Sequence, residues 1–214
     1  MAVVGFDTSI LLNYFSTKLQ QSAMRASATQ NTASGATAAA AAAKTERVQF
    51  ATTAGKFTIE VYPDAAPKTV ANFLLYVDDG RFEGTEFYRT ARRASDPKLG
   101  FVQGGIGTDA RRMLPSLPLE PTSRTGIRHL SGTISMAHGI DPDSANGNFS
   151  IMVGDNPSLD ARPNTPGFAA FGKVIGGMDV VRRMLAMPSG GGRGVMRGQM
   201  ILKPVKILRA ERLD

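Results

Sequence analysis

From Val48 to Leu208 glycine and proline interrupt the apolar runs so often that the chain is restricted to short strands and very few helices. Val48-Gln49-Phe50-Ala51-Thr52-Thr53 and Phe57-Thr58-Ile59-Glu60-Val61 are alternating or β-branched, and Ala54-Gly55-Lys56 joins them. That pattern predicts a β-hairpin. Further strands are predicted at Glu86 to Arg89, Phe101 to Gln103, Gly132 to Ala137, Phe149 to Val153, Ala169 to Val174 and Ile201 to Leu208. Two segments carry a helical period instead. Pro67 opens and Gly80 closes a stretch in which Val70, Phe73, Leu74 and Val77 share one face. Met178 to Leu185 follows Gly176-Gly177 and reads as a second helix. Many short strands with two helices predict a mainly β chain, a closed or nearly closed antiparallel barrel.

The first 45 residues differ in kind. Ala26 to Ala43 is almost wholly Ala, Ser, Thr, Asn and Gly, with too few large apolar groups to offset its ordering entropy. Residues 1–45 therefore read as a low-complexity extension, and 46–214 as the folded domain. Ile10, Leu11, Leu12, Tyr14, Phe15 and Leu19 follow two potential caps, Thr8 and Ser9, which allows a short helix near residues 8–24. A signal peptide is poorly supported, because no Lys or Arg precedes Lys18. A docking helix for an unknown partner and an incidental extension remain open, and so does the choice between cytoplasm and periplasm.

The 214-residue chain has no cysteine, which excludes disulfides, zinc–thiolate sites and a Cys nucleophile. No apolar run approaches the ~18 residues of a membrane span. The formal charge is +7, but no Lys/Arg run exceeds two residues. A basic solvated surface is favoured over a nucleic-acid site. His129 and His138 are spaced like no common ligand pair, so neither a metal nor another cofactor is expected. Asp141 to Gly147 fails as a calcium loop, because Ala145 and Met152 stand where oxygen ligands are needed. Gly190-Gly191-Gly192-Arg193-Gly194 lacks the Gly-Lys-Ser/Thr of a phosphate cradle and reads as a flexible surface loop.

Four collinear segments carry more. They are Ala66-Pro67-Lys68-Thr69-Val70-Ala71-Asn72-Phe73; Phe87-Tyr88-Arg89 with Gly100-Phe101-Val102-Gln103-Gly104-Gly105; Gly132-Thr133-Ile134-Ser135-Met136-Ala137 with Asn148-Phe149-Ser150-Ile151; and Leu159-Asp160 with Phe171-Gly172-Lys173-Val174. Together they resemble the cyclophilin family of peptidyl-prolyl cis–trans isomerases. The resemblance implies an eight-stranded antiparallel β-barrel capped by two α-helices, with a groove on its outer surface for proline-containing segments of client proteins. It places Arg89 at the catalytic centre, with Gln103 contacting substrate backbone or orienting Arg89. It assigns Phe101, Ala137, His138, Asn148, Phe149, Leu159 and Phe168 to substrate binding.

The chemistry suits these residue types. An X–Pro bond rotates over ~18–20 kcal/mol because its nitrogen is conjugated with the carbonyl. A catalyst must stabilise the twisted amide better than the planar one. A guanidinium, always charged and with rigidly arranged donors, can direct one at the proline nitrogen. Three departures from the family pattern bear on this. The spacer from Arg89 to Gln103 is lengthened and contains Arg92, Arg93 and Lys98, so a basic loop is expected over the groove. Ser150 replaces a pocket Phe, and Ser158 stands where some members carry Trp or Phe. A non-catalytic binder of proline segments, chaperone or scaffold, is the alternative to the enzyme.

Overall fold

The computed structural model describes residues 44–213. The helix expected near residues 8–24 and the Ala-rich stretch before residue 44 lie outside them.

β1 (Glu46–Thr52) and β2 (Gly55–Val61) form the expected hairpin, with Thr52 opposite Gly55 at the turn. Alternation sends Val48, Phe50, Phe57, Ile59 and Val61 inward, where all are buried. The helix α1 spans Pro67–Asp78, with proline at its start and Val70, Phe73, Leu74 and Val77 on the buried face. Ala66 offers no side-chain cap. The carboxylate of buried Glu120 accepts from the backbone N–H groups of Lys68 and Thr69 and from the Thr69 hydroxyl, the last at 2.7 Å. An acid from a distant loop thus satisfies the free N–H groups at the positive end of the helix.

The remaining strands are β3 (Glu86–Arg92), β4 (Gly100–Gly105), β5 (Thr133–Met136), β6 (Asn148–Val153), β7 (Ala170–Gly176), β8 (Ser189–Gly190) and β9 (Met200–Leu213). The order β1-β2-β7-β5-β6-β4-β3-β9 closes on itself through a β1–β9 pairing. That is the expected eight-stranded antiparallel barrel, and two-residue β8 lies beside β9 as an appendage. β9 runs beyond the predicted end at Leu208 because its second half pairs with β1, Leu213 opposite Arg47. The single-turn helix α2 (Thr122–Thr125) was not expected, whereas α3 (Met178–Leu185) matches its predicted range.

Seven phenylalanines and one tyrosine fill the barrel: Phe50, Phe57, Phe73, Phe82, Phe87, Phe149, Phe171 and Tyr76 are all almost fully buried. Their rings meet edge-on or tilted, for example Phe73 and Phe149 at 5.8 Å and Phe87 and Phe149 at 5.6 Å. Such contacts add to the burial of each ring.

Candidate functional site

β3 and β4 place the central residues. Phe87 pairs with Gly104, yet Arg89 pairs with Gln103, so Tyr88 is an extra residue in the strand. The register with β9 is also irregular at this point, where Phe87 pairs with Val205 and Arg89 with Met200. A bulge of this kind breaks the strict alternation of sides, and here it turns Tyr88 and Arg89 toward the same neighbour. Gly104 is required locally, because a Cβ there would lie 2.6 Å from the Phe87 ring.

Arg89 is half-buried and held at two points. Its Nη1 donates to Gln103 Oε1 at 2.8 Å, and its Nε donates to Gln199 Oε1 at 2.8 Å. The Phe101 ring lies beside it, its centroid 5.2 Å from the guanidinium carbon. Burial lowers the Arg89 pKa, opposed by Tyr88, but a guanidinium is still a cation at neutral pH. The chain of bonds continues in one direction. Gln103 Nε2 donates to the Tyr88 hydroxyl at 3.1 Å, and that hydroxyl donates to Asn148 Oδ1 at 3.1 Å. Burial pushes the Tyr88 pKa to about 12, against the opposing pull of Gln103 and Arg89, so the phenol stays protonated and able to donate.

The opposite side is built from β5 and the segment after β6. Phe168 N donates to Leu159 O at 3.0 Å, which sets these two residues side by side. The His138 ring stacks on Phe168 with centroids 4.3 Å apart. Its two nitrogens face the carbonyl oxygens of Gly139 and Gly167, both at 2.8 Å, tying the loop after β5 to the loop before Phe168. Ala137 is half-buried next to His138, and its N–H donates to Asn148 O. Between the two sides, Gln103, Ser150 and Ser135 lie in a row across β4, β6 and β5.

Three sequence expectations change here. Phe149 is fully buried and packs against Phe50, Phe73, Phe82 and Phe87 inside the barrel, which leaves it no exposed surface to offer a peptide. Its neighbour Ser150 has the outward orientation, because successive strand residues alternate sides. Asn148 is occupied within the protein. Its Nδ2 donates to Gly107 O at 2.9 Å and its Oδ1 accepts from Gly107 N at 2.8 Å, so both ends of its amide hold residue 107. The basic loop does not overhang the groove through Arg92 or Arg93. The hairpin simply continues to Arg92 opposite Gly100, and Arg92 donates to the carbonyls of Leu185 and Met187 at the end of α3. Arg93 donates to Asp155 O. Lys98 stays exposed at the hairpin tip.

One feature had no sequence signal strong enough to find it, and the partners of another, a histidine read from the sequence as structural or surface, could not be read there. Gln199 follows the glycine-rich stretch and gave no motif. His129 is fully buried, with Nδ1 2.7 Å from Asp160 Oδ1 and Nε2 2.9 Å from Ser135 Oγ. A Ser–His–Asp order is the layout of a hydrolase triad. Ser135, however, is only 2% exposed and cannot reach an acyl group, so the trio works as a brace between β5 and Leu159-Asp160. Among the described residues there is no cluster of His, Cys, Asp or Glu that could hold a metal ion, and no helix long and apolar enough to cross a membrane.

The cyclophilin type peptidyl-prolyl cis-trans isomerase/CLD family model matches residues 47–212. A peptidyl-prolyl cis-trans isomerase of Acinetobacter baylyi is 34% identical over 164 residues, covering 77% of this chain and 84% of that protein. One of Streptomyces antibioticus is 36% identical over 167 residues, covering 75% of this chain and 98% of that protein. Among solved structures, a cyclophilin type peptidyl-prolyl cis-trans isomerase of Cryptosporidium parvum superposes with a TM-score of 0.62 at 19% identity, over 80% of this chain and 99% of that one. A second structure of that protein, determined in the presence of the dipeptide Ala-Pro, covers 78% of this chain with the same TM-score of 0.62. With a barrel closed in this order, an arginine held by glutamine on its outer face and a family match across the whole described domain, the chain belongs to the cyclophilin-type peptidyl-prolyl cis-trans isomerases.

Proposed function

We propose that the groove between Arg89 and the Leu159–Phe168 wall binds proline-containing segments of client proteins and accelerates rotation about their X–Pro bonds. The observation that carries this reading is the fixed guanidinium: Arg89 is gripped through Nε and Nη1, which leaves Nη2 available to a ligand. Phe101 on one side and Leu159 and Phe168 on the other are half-buried apolar groups suited to a proline ring. No covalent bond is broken. As the amide twists, its nitrogen loses conjugation and becomes a hydrogen-bond acceptor, and a donor from Arg89 then stabilises the twisted form over either planar one. Gln103 is engaged at both ends, by Arg89 and by Tyr88, so its part is to orient Arg89.

NMR exchange spectroscopy on an Ala-Pro peptide tests this. Wild-type protein is expected to raise the cis–trans exchange rate, and Arg89→Ala to lower kcat/KM by roughly 100- to 1,000-fold. Peptide binding with no faster exchange in the wild type would leave a binder of proline segments in place of an enzyme.

A further inference from the structure

Arg89 Nε points away from Gln103 and finds its acceptor on a segment distant in sequence. That acceptor, Gln199 Oε1, lies 2.8 Å away. The backbone of Gln199 is fixed from two directions. Its carbonyl accepts from Thr90 N at 2.8 Å, and its N–H donates to Met196 O at 3.0 Å. Met200, the next residue, pairs with Arg89 where β9 begins. The preceding residues 191–198 are all exposed and form a tight loop. Ser189 Oγ donates to Gly198 O at 2.9 Å and Gly198 N donates to Gly191 O, which closes the loop at its base. Gly192 has φ +72°, and a Cβ there would lie 2.2 Å from Met196 O, so the loop has this shape only with glycine at that position.

We propose that the glycine-rich segment Gly190–Gln199 is a positioning device for Arg89, with Gln199 as the positioning residue. This rests on the isomerase reading of the same groove. Gln103 alone holds the guanidinium through one Nη1 bond, about which the group can still swing. A second acceptor at Nε, on the far side of the group, fixes its plane, and the donors left over then point in one direction. Alignment of that donor is worth more in the twisted state than in the planar one, so its loss falls on kcat more than on KM. Gln199 does not need to touch the peptide.

The test uses the full chain with Gln199→Leu, which removes the acceptor at similar size, and Gln199→Glu, which keeps an acceptor. In wild type the Arg89 1Hε–15Nε signal, assigned by its disappearance in Arg89→Lys, is expected to be distinct and slow to exchange with water. Gln199→Leu should shift it and speed its exchange, and should lower kcat on an Ala-Pro peptide about 5-fold or more with KM changed less than about 2-fold. Gln199→Glu should retain the slow signal and recover most of kcat. An unchanged Arg89 signal and rate in Gln199→Leu overturn the positioning role and leave the isomerase reading intact. An inactive wild type removes the isomerase reading and, with it, any catalytic meaning of Gln199, even if the Arg89 signal behaves as expected.

Discussion

Arg89 and Thr90 are adjacent residues with opposite standing. Arg89 has Nε and Nη1 each bonded to a glutamine side chain, whereas the Thr90 hydroxyl is buried with no hydrogen-bond partner. A buried hydroxyl without a partner costs ~1–3 kcal/mol, and an apolar group of the same shape avoids that cost. Thr90→Val is therefore expected to leave the protein as stable as wild type or about 1 kcal/mol more so, read from the urea midpoint at unchanged m-value. Ser150 poses the reverse case. It faces outward between Gln103 and Ser135, and a phenyl ring there would restore apolar surface to the proline site. Ser150→Phe should tighten Ala-Pro peptide binding by ~1–3 kcal/mol, measured by NMR titration. Weaker binding with an intact fold would mean that Ser150 does not face the proline ring.

Helix α1 and strand β3 show how far local pattern reaches at the level of the element. The i, i+3, i+4, i+7 spacing from Val70 to Val77 and proline at the first turn were enough to predict α1. Its cap was invisible, because Glu120 lies about fifty residues further along the chain. Glu120→Ala should destabilise the domain by ~1–3 kcal/mol, since it strands two N–H groups and a buried hydroxyl. The measurement is again urea unfolding, and a change under about 0.5 kcal/mol would show that water replaces the carboxylate. For β3, glycine punctuation marked a short strand at Glu86 to Arg89 but not the bulge at Tyr88. A bulge depends on how two neighbouring strands pair, and Tyr88 and Arg89 face Gln103 together only because of it. The lengthened spacer was legible as an insertion. That it would continue the hairpin, with Arg92 serving the end of α3, depended on where α3 packs.

At the scale of the whole molecule, the barrel joins an aromatic interior to a polar brace on its outside. His129 is fully buried and its pKa is lowered, burial outweighing the hydrogen bond and charge of Asp160. Asp160 is itself held below the usual carboxylate range; burial pulls it up, but the His129 bonds and the nearby charges of His129 and Arg128 pull it further down. The unfolded chain then binds the His129 proton more readily than the folded one. Stability from this residue is fully present above the ordinary histidine pKa of ~6.5, and is lost as pH falls below that value toward the depressed folded one. The Asp160 contribution persists to lower pH and is lost as pH falls below the ordinary carboxylate pKa of ~3.9. Urea midpoints should be flat from pH 8 to about 7 and fall as the pH drops below about 6.5. His129→Gln should flatten that fall, while an identical slope in the variant would assign it to other groups.

The amino-acid sequence by itself determined the barrel, its two main helices and the identity of Arg89, Gln103, Phe101, Leu159 and Phe168 as groove candidates. The barrel and helices are written in short-range pattern, in alternation, helical spacing and glycine and proline punctuation, whereas the groove candidates were implied by the resemblance of four ordered segments to the cyclophilins. Only the tertiary structure brought Gln199 to Arg89, set Phe149 inside the barrel with Ser150 on the other face of β6, and showed what His129 bonds. Gln199 meets Arg89 across 110 residues of chain and His129 meets Asp160 across 31. Contacts of that kind are set by strand order and register, which no local window of residues contains.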